Sequence, residues 1–425
     1  MLTAIVGINW GDEGKGRMVD LLSEHEDIVI RYQGGNNAGH TVVNDGGKFI
    51  LNLLPSGILR PDVVCVMGNG MCIDLQHLDK EIASLRAQGI EISPKNLKIS
   101  DRAVITMPYH VWQDGYEEER LGDKKFGSTK RGIAYVYGDK YMKTCIRIGD
   151  LLDEEYMAKR LADVIQLKSI TLQKVYGKDE INYEEMLAWL KKYAEIFKDY
   201  IVDTGVYLRD AVKAGKRIMF EAQLGALRDI DFGIYPYTSS SSVIAAYAPI
   251  GAGIPGEKID ASIGIMKAYS TCVGEGPFTA ELGMTEEEKD ELRKAGGEYG
   301  AATGRPRRVG PFDVVASKYG CRVQGASEIA LTKLDILSSM KKIPVVTAYD
   351  VDGTLVHDFP TGDALNRAKP VVEYLEGWNC DVSGCRKVED LPKAALDYIR
   401  YIEKAVECKI TYVSVGAERE AYVKM

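Results

Sequence analysis

The chain has 425 residues, 45% hydrophobic and 27% charged, with a formal net charge of −8, the balance of a soluble globular protein. That charge leaves no broad basic face for nucleic acid, and no run approaches the roughly 20 apolar residues that span a bilayer. Eight scattered cysteines without a CxxC pair point to a reducing, cytoplasmic setting, and five histidines without HxH or HExxH spacing argue against zinc.

In chain order, "LTAIVGI" comes first; it is too short, and with Asp12 close behind wrongly flanked, for a signal peptide, and reads as a buried strand. "GRMVDLLSE" places Met18, Leu21 and Leu22 on one helical face, so the first unit is strand, glycine loop, helix. Further strands are predicted at "DIVIRYQ", "DVVCVMG", "KRIMFEA", "IALTKLDIL", "IPVVTAYDV" and "KITYVSVG". Helices are predicted at "DLQHLDKEIASLRAQG", "DEEYMAKRLADVIQ" and "DLPKAALDYIRYIEKAVE". This alternation predicts an α/β fold with a large, mainly parallel β-sheet flanked by helices. Residues 1–425 read as a single domain, with 100–214 a largely helical subdomain within it. Long glycine-containing loops are expected around 34–47, 122–140, 223–242, 251–256 and 296–311, and loops of that length are often functional.

The turn after the first strand is "NWGDEGKGR". Gly11, Gly14, Lys15 and Gly16 suit a phosphate drawn to the backbone amides of a helix N-terminus. Asn9 stands where a standard GxxxxGK loop has its first glycine, and Gly16 replaces the metal-binding hydroxyl. Such glycines also serve plain tight turns, but the place between strand and helix, beside Lys15, favours nucleotide phosphate. Asp12 is the odd residue, since carboxylates repel phosphates. It can cap the helix, hold Mg²⁺ against the phosphates, or act as a general base.

"RYQGGNNAGHTVV" is too rich in glycine and asparagine for core filler and suggests backbone close to a ligand, with His40 a candidate acid or phosphate ligand. "LTKLD" resembles the Asn/Thr-Lys-x-Asp element of GTP-binding proteins: the lysine stem covers the guanine ring, and the carboxylate accepts from N1–H and the 2-amino group. Of the two basic clusters, Lys124–Arg131 reads as solvated surface. In "ATGRPRRVG", by contrast, Arg305, Arg307 and Arg308 sit among glycine and proline, where guanidinium forks suit a substrate anion.

Together these segments resemble the adenylosuccinate synthetase family, nearly end to end. The resemblance also rests on "MGNGMCIDL", "MPYH", "GSTKRGIA", "MFEAQLGALRDIDFGIYPYTSSSS", "MKAYSTCVGEGPF", "EYGAATGRPRRVG" and "VSVGAERE". It implies a GTP-dependent carbon–nitrogen ligase that joins IMP to L-aspartate, releasing GDP and phosphate, with Mg²⁺ as cofactor. This is the first committed step from IMP to AMP in purine biosynthesis. It also implies a homodimer whose subunits contribute to each other's IMP site, with a chain that binds neither nucleic acid nor membrane.

The resemblance assigns residues as well. Asp12 removes the N1 proton of IMP, so that O6 attacks the γ-phosphate and 6-phosphoryl-IMP forms; Asp12 and the Gly39 carbonyl hold Mg²⁺. His40 is the acid and Lys15 a phosphate-binding lysine. The GTP site takes in Gly11, Glu13, Gly14, Lys15, Gly16, Arg17, Gly39, His40, Thr41 and Arg307, with Lys333, Leu334, Asp335, Ser414, Val415 and Gly416 around the guanine. Asp12, Asn37, Ala38, Thr129, Lys143, Gln223, Thr238, Ser239 and Arg305 fall to IMP. Ala301, Ala302, Thr303, Gly304 and Arg305 fall to aspartate.

Several positions depart from the family pattern. "FEAQLG" replaces the usual FEGAQG, shifting Gln223 by one and putting Leu224 at the glutamine's place. Cys272 and Lys143 each stand where the family has arginine, and Ala302 loses a hydroxyl. These changes keep two alternatives open: the same chemistry on a 2-amino purine nucleotide, and a GTP-binding protein without ligase activity.

Overall fold

The computed structural model describes residues 1–44, 47–125, 127–299 and 306–425, except for the side chains of His40, Thr41, Val43 and Asn44. Its centre is a ten-stranded sheet. In chain order the strands are β1 (Leu2–Gly7), β2 (Ile28–Arg31), β3 (Val64–Met67), β4 (Leu97–Ser100), β5 (Ile201–Val202), β6 (Ile218–Gly225), β7 (Ala261–Lys267), β8 (Glu328–Thr332), β9 (Ile410–Ser414) and β10 (Tyr422–Lys424). The spatial order is β10-β9-β8-β7-β1-β6-β2-β3-β4-β5. Every pairing is parallel except the edge pair of β9 with β10.

The continuous apolar runs follow from covering both faces. Alternate residues of the inner strands enter opposite cores: Ile5, Val29 and Met219 one, Ala4, Ile30 and Phe220 the other. The first core also takes Met18 and Val19 from α1 (Lys15–Leu22). It continues into Leu161 and Leu190, from the helices Glu154–Tyr176 and Tyr183–Phe197. Leu208 of the helix Thr204–Lys213 covers the other face. The last three of these helices each open on an aspartate or asparagine that caps the first turn: Asp153, Asn182 and Asp203.

Several expected elements fall differently, and the end of the loop expected around 34–47 is the strand His40–Asn44, paired with Gly47–Leu51. "IPVVTAYDV" is a strand (Lys342–Val351) but lies in a separate four-stranded sheet, paired mainly with the antiparallel Lys369–Glu376. Its buried apolar run is the same signal a central parallel strand gives, so periodicity cannot separate the two. The second half of the expected loop 122–140 is the helix Ile133–Met142, entered through Gly132 at φ 73°.

The strands β1, β2, β6, β7, β8 and β9 all point their carboxyl ends to one edge. In an open parallel sheet that edge is where ligands bind.

Candidate active site

The loop leaving β1 turns through left-handed backbone at Gly11, Asp12 and Gly14, with φ of 98°, 62° and 92°. Gly14 occupies the N-cap of α1 and no side chain among the described residues, Asp12 included, caps the helix, so the capping reading of Asp12 is excluded. With no acid in its first turn, α1 keeps its positive end for an outside anion. The Asp12 carboxylate instead stands at the mouth of the site, 38% exposed. Its Oδ2 lies 2.8 Å from Arg307 Nη1 and 3.7 Å from Lys267 Nζ.

Glu13 is turned inward. Its Oε1 accepts from the amides of Asn9 (3.1 Å) and Gly11 (2.7 Å), and its Oε2 lies 2.6 Å from Lys15 Nζ. It therefore braces the loop from below and holds Lys15 at the helix start, while Thr332 of β8 donates to its backbone carbonyl at 2.7 Å.

Glu298, the most heavily solicited group, has a fully buried side chain. Its Oε1 accepts from Lys267 (2.9 Å), Lys333 (2.8 Å) and the Tyr269 hydroxyl (2.5 Å), and its Oε2 from Arg307 (2.8 Å). Burial alone would raise its pKa, but Lys267 and Lys333 hold it far below the carboxylate range. Burial lowers the pKa of Lys267, against the pull of Asp12 and Glu298. Lys267 sits at the end of β7, also 3.0 Å from Thr271 Oγ1.

On the far side of β8, Lys333 has φ 62°, and its ammonium also donates to the Gly296 carbonyl at 2.7 Å. Asp335 is half-buried and its Oδ1 has no partner among the described residues. Burial raises its pKa, offset in part by Lys333 and Arg17. Arg17, reaching up from α1, donates to Ser414 Oγ (2.6 Å) and to the carbonyls of Gly416, Glu418 and Ala421, which ties the 414–421 segment over this pocket. Leu334 and Val415 are fully buried beneath it. A buried carboxylate oxygen without a donor costs on the order of 1–3 kcal/mol, recovered when a ligand supplies an N–H.

The other half of the site is held mainly by neutral groups. Gln223, at the end of β6, donates from Nε2 to the carbonyls of Gly35 (3.1 Å) and Ala38 (3.2 Å). Gln33 donates to the Gln223 carbonyl at 2.8 Å and accepts from Ser241 Oγ at 3.0 Å, and Ser239 continues the chain. Gly34 is left-handed at φ 83°, which strains any other residue, and a Cβ there would also displace the Gln223 amide, 1.8 Å away at Oε1. Leu224 also has positive φ (66°) and packs its Cδ2 beside Gly11. Thus the glutamine clamps the Gly34–Ala38 turn, and the leucine lies along the phosphate loop. Asn36 donates to Asp74 at 3.0 Å, while the side-chain oxygens of Asn36 and Asn37 are buried without partners among the described residues.

Other candidates lie further out. Thr129 and Lys143 are exposed, the latter in left-handed backbone just past the helix Ile133–Met142, and Thr238 is half-buried. Cys272 lies 3.2 Å from Arg228, whose guanidinium also reaches the carbonyls of Tyr237 and Val273. A guanidinium from the β6 loop thus stands against the thiol. The side chains of His40 and Thr41, and all of Ala301, Ala302, Thr303, Gly304 and Arg305, lie outside the described residues. Lys267 and Glu298 were not among the sequence candidates. A lysine closing an apolar strand at the binding edge, and an acid just ahead of three arginines, were the available signals.

The model of the family described as adenylosuccinate synthetase matches residues 4–423. The adenylosuccinate synthetase of Caldanaerobacter subterraneus subsp. tengcongensis is 45% identical over 420 residues, 99% of this chain and 98% of that one. A fully ligated adenylosuccinate synthetase from Plasmodium falciparum superposes with a TM-score of 0.91 at 34% identity, covering 100% of this chain and 99% of the other. At 18% identity and a TM-score of 0.59, a cyanophage S-2L succinoaminodeoxyadenylate synthetase, bound to dGMP and dATP, shares the fold over 100% of this chain and 95% of its own. With the family model spanning nearly the whole sequence and a relative this similar along its full length, the chain belongs to the adenylosuccinate synthetase family.

Proposed function

We propose that this site carries out the family's reaction with Asp12 as its base. The chain is a GTP-dependent carbon–nitrogen ligase that joins IMP to L-aspartate and yields adenylosuccinate, GDP and phosphate. Amination at C6 must expel oxygen, a poor leaving group until it is phosphorylated. Asp12 takes the N1 proton, which places negative charge on O6 and directs it at the γ-phosphate. The observation that carries this reading is the Asp12 carboxylate itself, set among phosphate-loop glycines with one oxygen on cations and its side chain open to the mouth of the site.

Lys15 and the amides at the start of α1 receive the phosphates, and we assign His40 to the charge developing on the transferring group. Asp335, whose Oδ1 has no partner among the described residues, accepts from N1–H and the 2-amino group of guanine, and the Lys333 stem lines that pocket. Ser414, Val415 and Gly416 close it under Arg17. Asn37, Ala38, Thr129, Thr238 and Ser239 line the IMP side, with Gln223 setting the turn that presents Asn37. Aspartate is assigned to the 301–305 segment, and Arg305 to both substrates.

Magnesium fits the chemistry of the proposed donors: one partly open carboxylate, Asp12, and the Gly39 carbonyl, with phosphate oxygens and waters to complete the shell. Bound there, it would neutralise phosphate charge beside the carboxylate. We further propose a single domain with 100–214 as a helical insertion, working as a cytoplasmic homodimer. Exposed Tyr141 and Met142 beside Lys143, with Leu152 and Tyr156 nearby in sequence, support a subunit contact that would bring Lys143 to the partner's IMP.

The test is product formation from GTP, IMP, aspartate and Mg²⁺. Formation of adenylosuccinate supports the reading, and GTP binding without product overturns it. Leu224 beside Gly11, where the family has its glutamine, favours one second reading, a 2-amino purine substrate. A higher kcat/KM for GMP or dGMP than for IMP would establish it.

A further inference from the structure

Asp12 and Glu298 are joined twice. Arg307 Nη1 lies 2.8 Å from Asp12 Oδ2 and 2.8 Å from Glu298 Oε2. Lys267 Nζ lies 3.7 Å from the same Asp12 oxygen and 2.9 Å from Glu298 Oε1. Two acids and two cations therefore alternate in a closed ring, and both cations meet one oxygen of Asp12, leaving its Oδ1 outside the ring. Lys333 is a fifth member, bonded to Glu298 alone within this set.

We infer that Glu298 is the positioning residue of this site: through Lys267 and Arg307 it fixes which oxygen of Asp12 faces the substrate, and through Lys333 it links that orientation to the guanine pocket. Being fully buried, Glu298 is no ligand for either nucleotide. Its effect is that of a fixed anion at which three cationic side chains converge. Those side chains come from β7, the turn after β8 and the chain following residue 306, so no local element could hold them in register. The backbone adds a further tie, because the Arg307 amide donates to the Glu298 carbonyl at 2.9 Å. Without the carboxylate, three mutually repelling cations lose their common partner. Arg307 and Lys267 would then crowd Asp12, and Lys333 would leave the position that its bonds to Glu298 and the Gly296 carbonyl define.

This inference rests on the reading of Asp12 as the base. The test is steady-state kinetics of Glu298→Gln, which keeps the shape and removes the charge, with thermal unfolding measured alongside. Glu298→Gln is expected to lower kcat by about tenfold or more and to raise KM for GTP, with KM for IMP changed less than about twofold. Glu298→Asp should recover part of the loss. Should Glu298→Gln fail to fold, Tyr269→Phe removes only the hydroxyl at 2.5 Å and should lower kcat a few-fold with the same KM pattern. Turnover within about twofold of the parent, or an equal rise in all three KM values, would overturn the inference. Asp12→Asn in the same assay separates the two readings: if it abolishes turnover while Glu298→Gln does not, only the role of Glu298 fails.

Discussion

The two halves of the site are held by opposite means. Around Asp12 the ties are charges on long side chains: Lys267, Arg307, Lys333 and the buried Glu298. Around Asn37 they are mainly neutral and short: the Gln223 amide on two carbonyls, Gln33, Ser241, and a left-handed glycine whose Cβ would meet the Gln223 amide. A charged ring can re-partner when a triphosphate arrives, because each cation can exchange a carboxylate for a phosphate. A neutral amide clamp has no such exchange to make and depends on distance and angle. On the proposed function, the charged half is thus suited to change partners during the reaction, and the neutral half to hold a fixed shape.

The largest effect is expected on the charged side. Asp12→Asn keeps the loop's size but removes the base, so kcat should fall by about a thousandfold or more; a near-normal turnover number would break the assignment. Next comes the guanine pocket. Asp335→Asn puts a donor where guanine offers donors, so KM for GTP should rise about tenfold or more, with xanthosine triphosphate becoming the better substrate. An unchanged GTP preference would show that Asp335 does not read the base.

The neutral side should respond more gently. Gln223→Ala leaves the Gly35 and Ala38 carbonyls without their donor and should raise KM for IMP about tenfold with little change in KM for GTP. If the KM for GTP moved as much, the two halves would not be separable in the way described.

The smallest catalytic effect belongs outside both halves. Asp313 caps the helix Val314–Gln324 through the Ala316 amide at 2.9 Å. Burial raises its pKa to about 6, against the Ala316 amide and the Tyr349 hydroxyl. The folded state therefore binds this proton more tightly than the unfolded chain. Its stabilising contribution is present near pH 4 and is lost as pH rises towards about 6. Asp313→Asn keeps the cap and should remove that slope from the pH dependence of unfolding, leaving kcat unchanged. A slope identical to the parent's would contradict the raised pKa.

Much of this was legible in the sequence because it is local. The strand, glycine loop and helix over residues 2–22, the alternation of strands and helices, and the Lys333–Asp335 pair each sit within a few neighbouring residues. The charge ring was not legible. Asp12, Lys267, Glu298 and Arg307 meet only because β1 and β7 are neighbours in the sheet and the chain returns after residue 306. Nor could the motif alone say that Gln223 turns onto the Gly34–Ala38 carbonyls while Leu224 lies along the loop, since that depends on the positive φ at Leu224. The resemblance put Glu13 in the nucleotide site; its carboxylate bonds to the loop's own amides and Lys15. "IPVVTAYDV" was legible as a strand but not as a member of a second sheet, because burial rather than partner sets its composition.

The most direct measurement follows the oxygen itself. IMP labelled with heavy oxygen at C6 is converted in the presence of GTP, aspartate and Mg²⁺, and the released phosphate is examined by mass spectrometry. If Asp12 deprotonates N1 and O6 attacks the γ-phosphate, the label leaves with the phosphate in step with adenylosuccinate, and Asp12→Asn abolishes both. Label released to water, or phosphate formed unlabelled alongside product, would contradict the account.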